Sequence, residues 1–231
     1  MISFVVATLI NDFQNRPEIS VASTKAYTSQ FIALTMIALQ LSDDNFQKVK
    51  RRAELIQGLA RLSADIKKTL ALEPAIKQLA IGQFKTAQNL ILLGRGYQSA
   101  TCLEGALKIK EVTYVHAEGI LAGELKHGPL ALIDENMPIF LMMPKDRHYS
   151  DSENALKQVT ARSGKPIIIA SETDDTTLFN NLTTLRVPHT VDALQAIINI
   201  VPLQLFSYHL AVARGFDPDS PRNLAKSVTT A

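Results

Sequence analysis

Four short apolar runs, at residues 89–93, 139–143, 167–170 and 184–187, are separated by intervals far too long for hairpins. Runs this brief and, in the first three, almost wholly apolar are typical of strands buried on both faces. Strands joined by a dozen or more residues pair in parallel through a crossover. The spacing therefore predicts an open parallel sheet, and an α/β fold with flanking helices is the arrangement that buries it. At 231 residues and 46% hydrophobic composition the chain has ample core for one large domain, or one domain with an appendage.

Helical periodicity fills much of the remainder. Ser23 or Thr24 is predicted to cap an apolar helix running through residues 31–39, and a second helix covers about 44–71. Pro74 sits where a first helical turn tolerates proline. A helix is expected over 101–113, after the turn Gly94-Arg95-Gly96, and a last one over 191–214, kinked at Pro202 and ended by Gly215. Residues 217–229 carry too many turn formers for an element, and no repeat or low-complexity tract is present.

Charge excludes some functions. The 24 basic and 22 acidic residues are mixed along the chain, without the clustered Lys/Arg stripe of a nucleic-acid footprint. The apolar opening at residues 4–10 is far short of a membrane span and has no basic flank or cleavage site, so no membrane association is expected. Cys102 is the single cysteine, which rules out an internal disulfide or a Cys-rich zinc site. It reads as a small buried hydrophobe, and the chain as cytoplasmic.

Chemistry concentrates in two places. On a helix, Glu104, Lys108 and Glu111 fall at i, i+4 and i+7, on one narrow face, with Gly105 and Ala106 permitting a close approach. By itself such a stripe is an ordinary surface salt-bridge row, each pair worth about 0.2–0.5 kcal/mol. The second place, Gly123-Glu124-Leu125-Lys126-His127-Gly128-Pro129, adds a histidine next to a Gly-Pro break, and carboxylate, amine and imidazole together make an acid–base set. The two glycines around Arg95 are too few for a dinucleotide fingerprint, and a tight strand-to-helix turn explains them. No metal or cofactor is expected, because the candidate ligands do not recur at zinc spacing. His116 reads as structural, and His148, His189 and His209 belong to no constellation.

Four stretches carry a specific resemblance: Val21-Ala22-Ser23-Thr24-Lys25-Ala26-Tyr27-Thr28; residues 103–111 with His116-Ala117-Glu118; residues 123–133; and Pro221-Arg222-Asn223-Leu224-Ala225-Lys226-Ser227-Val228-Thr229. Spanning about 20–231, they resemble the isomerase half of the glutamine–fructose-6-phosphate aminotransferases. The resemblance implies sugar-isomerase (SIS) domains, each a parallel sheet flanked by helices, with the C-terminal tail folded over the sugar site. It divides this chain into a helical remnant of a first SIS domain and linker (1–80), a second SIS domain (81–221) and an active-site tail (222–231). A glutaminase domain and the Ser/Thr-rich loop that grips the sugar phosphate in the family have no counterpart in these 231 residues.

By the same resemblance, Glu111 moves a proton between C1 and C2 of the sugar, and Lys108 stabilises the charge that develops. Lys226 forms a Schiff base with the open-chain ketose, and His127 opens the ring, reaching the site from a neighbouring subunit, which implies a homodimer. Val21, Ser23 and Ala225 contact the sugar, and Glu104 joins this binding group as the partner of Lys108. The implied ligand is fructose 6-phosphate or glucosamine 6-phosphate. Competing readings are an SIS-type glucosamine-6-phosphate deaminase and an inactive or sensing SIS module.

Overall fold

The computed structural model describes residues 18–42 and 46–227. The apolar opening at 4–10 and the end of the tail motif at 228–229 lie outside the described residues. Three helices come first, α1 (Lys25–Leu41), α2 (Phe46–Leu70) and α3 (Glu73–Ile81). There follow β1 (Asn89–Gly94), α4 (Tyr97–Thr113), β2 (His116–Leu121), two short 3-10 turns (Ala122–His127 and Pro129–Leu132) and β3 (Ile139–Met143). Then come α5 (Tyr149–Thr160), β4 (Ile167–Ser171), a 3-10 turn (Thr177–Phe179), β5 (Thr184–Val187) and α6 (Asp192–Ala213).

The strands form one five-stranded sheet in the order β2-β1-β3-β4-β5, parallel throughout. Side-chain alternation divides its core. Leu90, Leu92, Phe140, Met142, Ile167 and Ile169 face one layer, where Ile76 of α3, Ile109 of α4 and Ile197 and Phe206 of α6 cover them. Ile91, Leu93, Ile139, Leu141 and Ile168 face the other, against α5 and the 3-10 turns. Phe84 and Phe206 each pack edge-on with a ring centroid 4.9 Å away, Phe84 on Phe206 and Phe206 on Phe140, which ties α6 to the middle of the sheet.

The sequence predicts four strands and misses β2. Central strands β3 and β4 are buried at all five positions, so their apolar runs are continuous. Strand β2 pairs only with β1, is exposed at His116, Glu118 and Leu121, and is written His-Ala-Glu-Gly-Ile-Leu, which lacks both the apolar run and the β-branched bias. Helix α4 also begins at Tyr97, four residues before the expected start. Gly119 explains how β2 docks: a Cβ there would stand 2.7 Å from the Leu103 amide nitrogen and 2.8 Å from the Cys102 carbonyl. The clash is with helix backbone, which cannot rotate away. Gly119→Ala is expected to cost about 1–3 kcal/mol in urea unfolding, and an unchanged midpoint would mean that α4 can back off the sheet.

Among the described residues, α6 is the one helix long and apolar enough to cross a membrane by length and composition, with 72% of its apolar window buried inside the protein. Its apolarity is accounted for by the core. The helix continues through the buried Pro202.

Helices α1 and α2 lie on the α6 side, where Tyr27, Phe31, Ile32, Leu55 and Leu59 pack onto the core. Their outer faces are different. Leu34 is 66% exposed and Leu41 77%, with Ile37, Val49 and Ile56 also open. Contiguous exposed apolar area beyond a few hundred Å² promotes association. The 231-residue chain is therefore expected to self-associate at micromolar concentration in sedimentation. A monodisperse monomer that binds no hydrophobic dye would contradict this.

Candidate active site

Helix α4 is held between the sheet and α6, with Gly105 against Leu203 of α6, so the close approach permitted there is helix packing. That packing turns the predicted stripe inward. Lys108 is 3% exposed, its Nζ lying 2.6 Å from Glu111 Oε2 and 3.5 Å from Glu104 Oε1. Two carboxylates around one nearly buried ammonium is not a solvated row. Burial, reinforced by Glu111, raises the Glu104 carboxyl above its ordinary range against the lowering pull of Lys108. Tyr27 of α1 is pushed up by burial and by the Glu104 charge.

Lys108 also lines a cavity of about 270 Å³ whose other walls include Ser20, Ala22, Thr24, Gln204 and Asp219. Glu111 borders a more open groove of about 310 Å³ shared with Tyr114 and with Arg222, Asn223 and Leu224 of the tail. The pair therefore joins two recesses, one under the segment before α1 and one under the tail.

The tail is held in place by contacts with both recesses. Arg222 lies over the Tyr114 ring, 4.2 Å from its centroid, and its amide donates to the Tyr114 hydroxyl at 2.8 Å. Phe216 packs edge-on against the same ring at 4.6 Å. The Val21 amide donates to the Asp219 carbonyl at 3.1 Å, and the Ser20 hydroxyl to the Pro218 carbonyl at 2.9 Å. Lys226 Nζ then donates to Glu18 Oε2 at 2.7 Å and to the Ser20 carbonyl at 2.9 Å, which puts the tail amine beside a residue of the cavity wall.

Glu18 lies outside the four stretches that carry the resemblance, the first of which begins at Val21. Its other oxygen, Oε1, accepts the Thr24 amide at 2.8 Å and the Ala26 amide at 3.3 Å. The predicted cap is corrected accordingly: Thr24 occupies the cap position of α1, but neither its hydroxyl nor that of Ser23 caps the helix, and the carboxylate from six residues upstream does. Burial pushes the Glu18 carboxyl up, and the Lys226 ammonium and the two amides outweigh it, holding it down at about 2. An acidic residue just before a helix was the available signal.

The remaining predicted residues separate clearly. Val21 stands in the segment that walls the cavity, its amide already committed to the Asp219 carbonyl just before the tail. Ser23 is half-buried in the same segment, and Ala225 is exposed beside Lys226. His127 is not brought to this site. It ends the turn Ala122–His127, whose Leu125 packs into the opposite layer of the sheet, and it is exposed. At the Gly94-Arg95-Gly96 turn, Gly96 has φ +55 and a Cβ there would strike the His148 ring at 2.5 Å, so the glycine serves the turn and its packing. Among the described residues no group of His, Cys, Asp and Glu could hold a metal ion.

Residues 83–214 match the SIS domain family. The chain is 57% identical over 213 residues to human glutamine–fructose-6-phosphate aminotransferase [isomerizing] 2, covering 92% of this chain and 31% of the relative. It is 58% identical over 217 residues to the Saccharomyces cerevisiae aminotransferase, covering 92% of this chain and 30% of that one. It thus spans about a third of the length of the curated relatives it matches. Among solved structures, the C-terminal domain of glucosamine-fructose-6-phosphate aminotransferase from Francisella tularensis superposes with a TM-score of 0.81 at 36% identity, covering 89% of this chain and 58% of that one. More than half of the sequence matches one family and its parallel sheet is shared with a solved relative, so the chain belongs to the SIS domain family, on the side of the aminotransferase isomerase parts that the sequence resembles.

Proposed function

We propose that this chain is the isomerase part of a glutamine–fructose-6-phosphate aminotransferase, turning fructose 6-phosphate into glucosamine 6-phosphate with ammonia released from glutamine elsewhere in the assembled protein. The observation that carries the reading is the Lys108–Glu111 pair, 2.6 Å apart, its ammonium buried and its carboxylate partly open toward the recess beneath the tail. The chemistry needs a base that reaches two adjacent carbons, and a carboxylate at the mouth of a groove supplies one. Lys108, fixed against that carboxylate, is placed to stabilise charge developing on the sugar oxygen or enolamine.

Lys226 is the proposed imine-forming amine: its nitrogen bonds to the ketose carbonyl carbon as water leaves, and ammonia later displaces it. Val21, Ser23 and Ala225 are the proposed sugar contacts, with Glu104 keeping Lys108 in register. His127 faces solvent in the single chain, which suits a ring-opening role in a neighbouring subunit of a homodimer. A cytoplasmic setting fits one unpaired cysteine. The division at about 80 and 221 into first-domain helices, second SIS domain and tail is likewise our reading.

Glutamine hydrolysis needs a nucleophile, and these 231 residues do not offer a usable cysteine. Cys102 is fully buried, and burial pushes its thiol well above the ordinary range. Ammonia must come from another segment or subunit. A chimera in which residues 20–231 replace the matching third of the human relative tests the reading. It is expected to form glucosamine 6-phosphate from glutamine and fructose 6-phosphate. A folded chimera that binds the sugar phosphate and yields no amino sugar would overturn it.

A further inference from the structure

Glu18 is 10% exposed at its side chain and joins the start of α1 to Lys226, which lies 208 residues after it in sequence. Its Oε1 is fixed by the Thr24 and Ala26 amides at the start of α1, and its Oε2 receives Lys226 Nζ at 2.7 Å. The Ser20 carbonyl takes a second proton of the same ammonium at 2.9 Å. An isolated surface ion pair would not hold one geometry, because two long side chains lose entropy for little gain. Here the carboxylate is already immobilised by the helix start, so the pair costs little further ordering.

We propose that Glu18 is the positioning residue of the tail amine, tethering Lys226 to the start of α1 beside the cavity until a sugar ligand displaces it from the pair. The proposal rests on the reading of Lys226 as the imine-forming amine. With one oxygen held by two amides and the other by the Lys226 ammonium, the Glu18 carboxylate is placed as a tether and not as a base. An ammonium engaged in the pair has no free lone pair to attack a carbonyl. Ligand entry and release of the tether are therefore coupled.

The test needs no sugar. The purified 231-residue chain is labelled with an acetylating N-hydroxysuccinimide ester and mapped by peptide mass spectrometry, with exposed Lys126 as the internal reference. Lys226 is expected to label about fivefold more slowly than Lys126, as a well-held ion pair allows, and Glu18→Gln to remove that protection. Glutamine retains an oxygen for the Thr24 and Ala26 amides, so the thermal midpoint should hold, and Glu18→Asp should restore part of the protection. Equal Lys226 labelling in the wild type and Glu18→Gln overturns the proposal. Should Glu18→Gln fold poorly, salt on the wild-type chain replaces it: 1 M sodium chloride should speed Lys226 relative to Lys126, and no change overturns the tether. Borohydride trapping of fructose 6-phosphate on Lys226 of the chimera separates the two readings. Protection without trapping removes the imine role and leaves the tether, whereas trapping without protection removes the tether alone.

Discussion

Glu111→Gln in the human chimera is expected to lower the turnover of fructose 6-phosphate by about 10²–10⁴-fold, the usual contribution of a positioned general base. The amide keeps the shape of the side chain and an oxygen for Lys108 Nζ, now 2.6 Å away, so the packing of α4 should survive. Sugar phosphate affinity should change little, because the base acts in the transition state and not in ground-state binding. Exchange of a C1 deuterium with solvent is the direct readout, and it should cease with turnover. A variant that exchanges deuterium at the wild-type rate would return Glu111 to the role of salt-bridge partner for Lys108.

How much of this was legible depends on whether the cause is local. Strands β3 and β4 are buried on both faces, and that condition writes an apolar run directly into the sequence. Strand β2 is an edge strand whose position depends on Gly119 fitting against the backbone of α4, a tertiary fact with no periodicity. The i, i+4, i+7 spacing placed Glu104, Lys108 and Glu111 on one face. It could not say whether that face was wet, which is decided by the packing of α4 against α6 and by the segment before α1 that shares the Lys108 cavity. Glu18 was lost for the same reason: its partners are Lys226, which is 208 residues away, and the amides of a helix whose cap was assigned to nearer hydroxyls. His127 is implied by its motif to act from a neighbouring subunit, and within the single chain its turn packs on the other face of the sheet.

Lys108→Met is expected to destabilise the fold by about 2–4 kcal/mol at pH 7, because removing one member of a buried ionic group strands the others. Methionine matches the stem of lysine in length and flexibility, so little of the loss should come from a cavity. What remains is Glu104 and Glu111, with side chains 13% and 21% exposed, and no cation between them. The pH dependence identifies the cause. Glu104 already titrates above the ordinary carboxylate range because burial and then the Glu111 charge outweigh Lys108. A carboxyl with a raised folded-state pKa stabilises the fold in its protonated form, fully so below the unfolded value, and that contribution is lost as pH rises through the folded value. Taking Lys108 away raises the folded value further and widens the window over which stability falls. Urea unfolding at pH 5 and pH 7 should therefore show a larger difference for Lys108→Met than for wild type, with the variant recovering toward pH 5. A loss of equal size at both pH values would assign the effect to packing, and no loss at either would mean that water reaches both carboxylates, leaving the three residues an ordinary surface row.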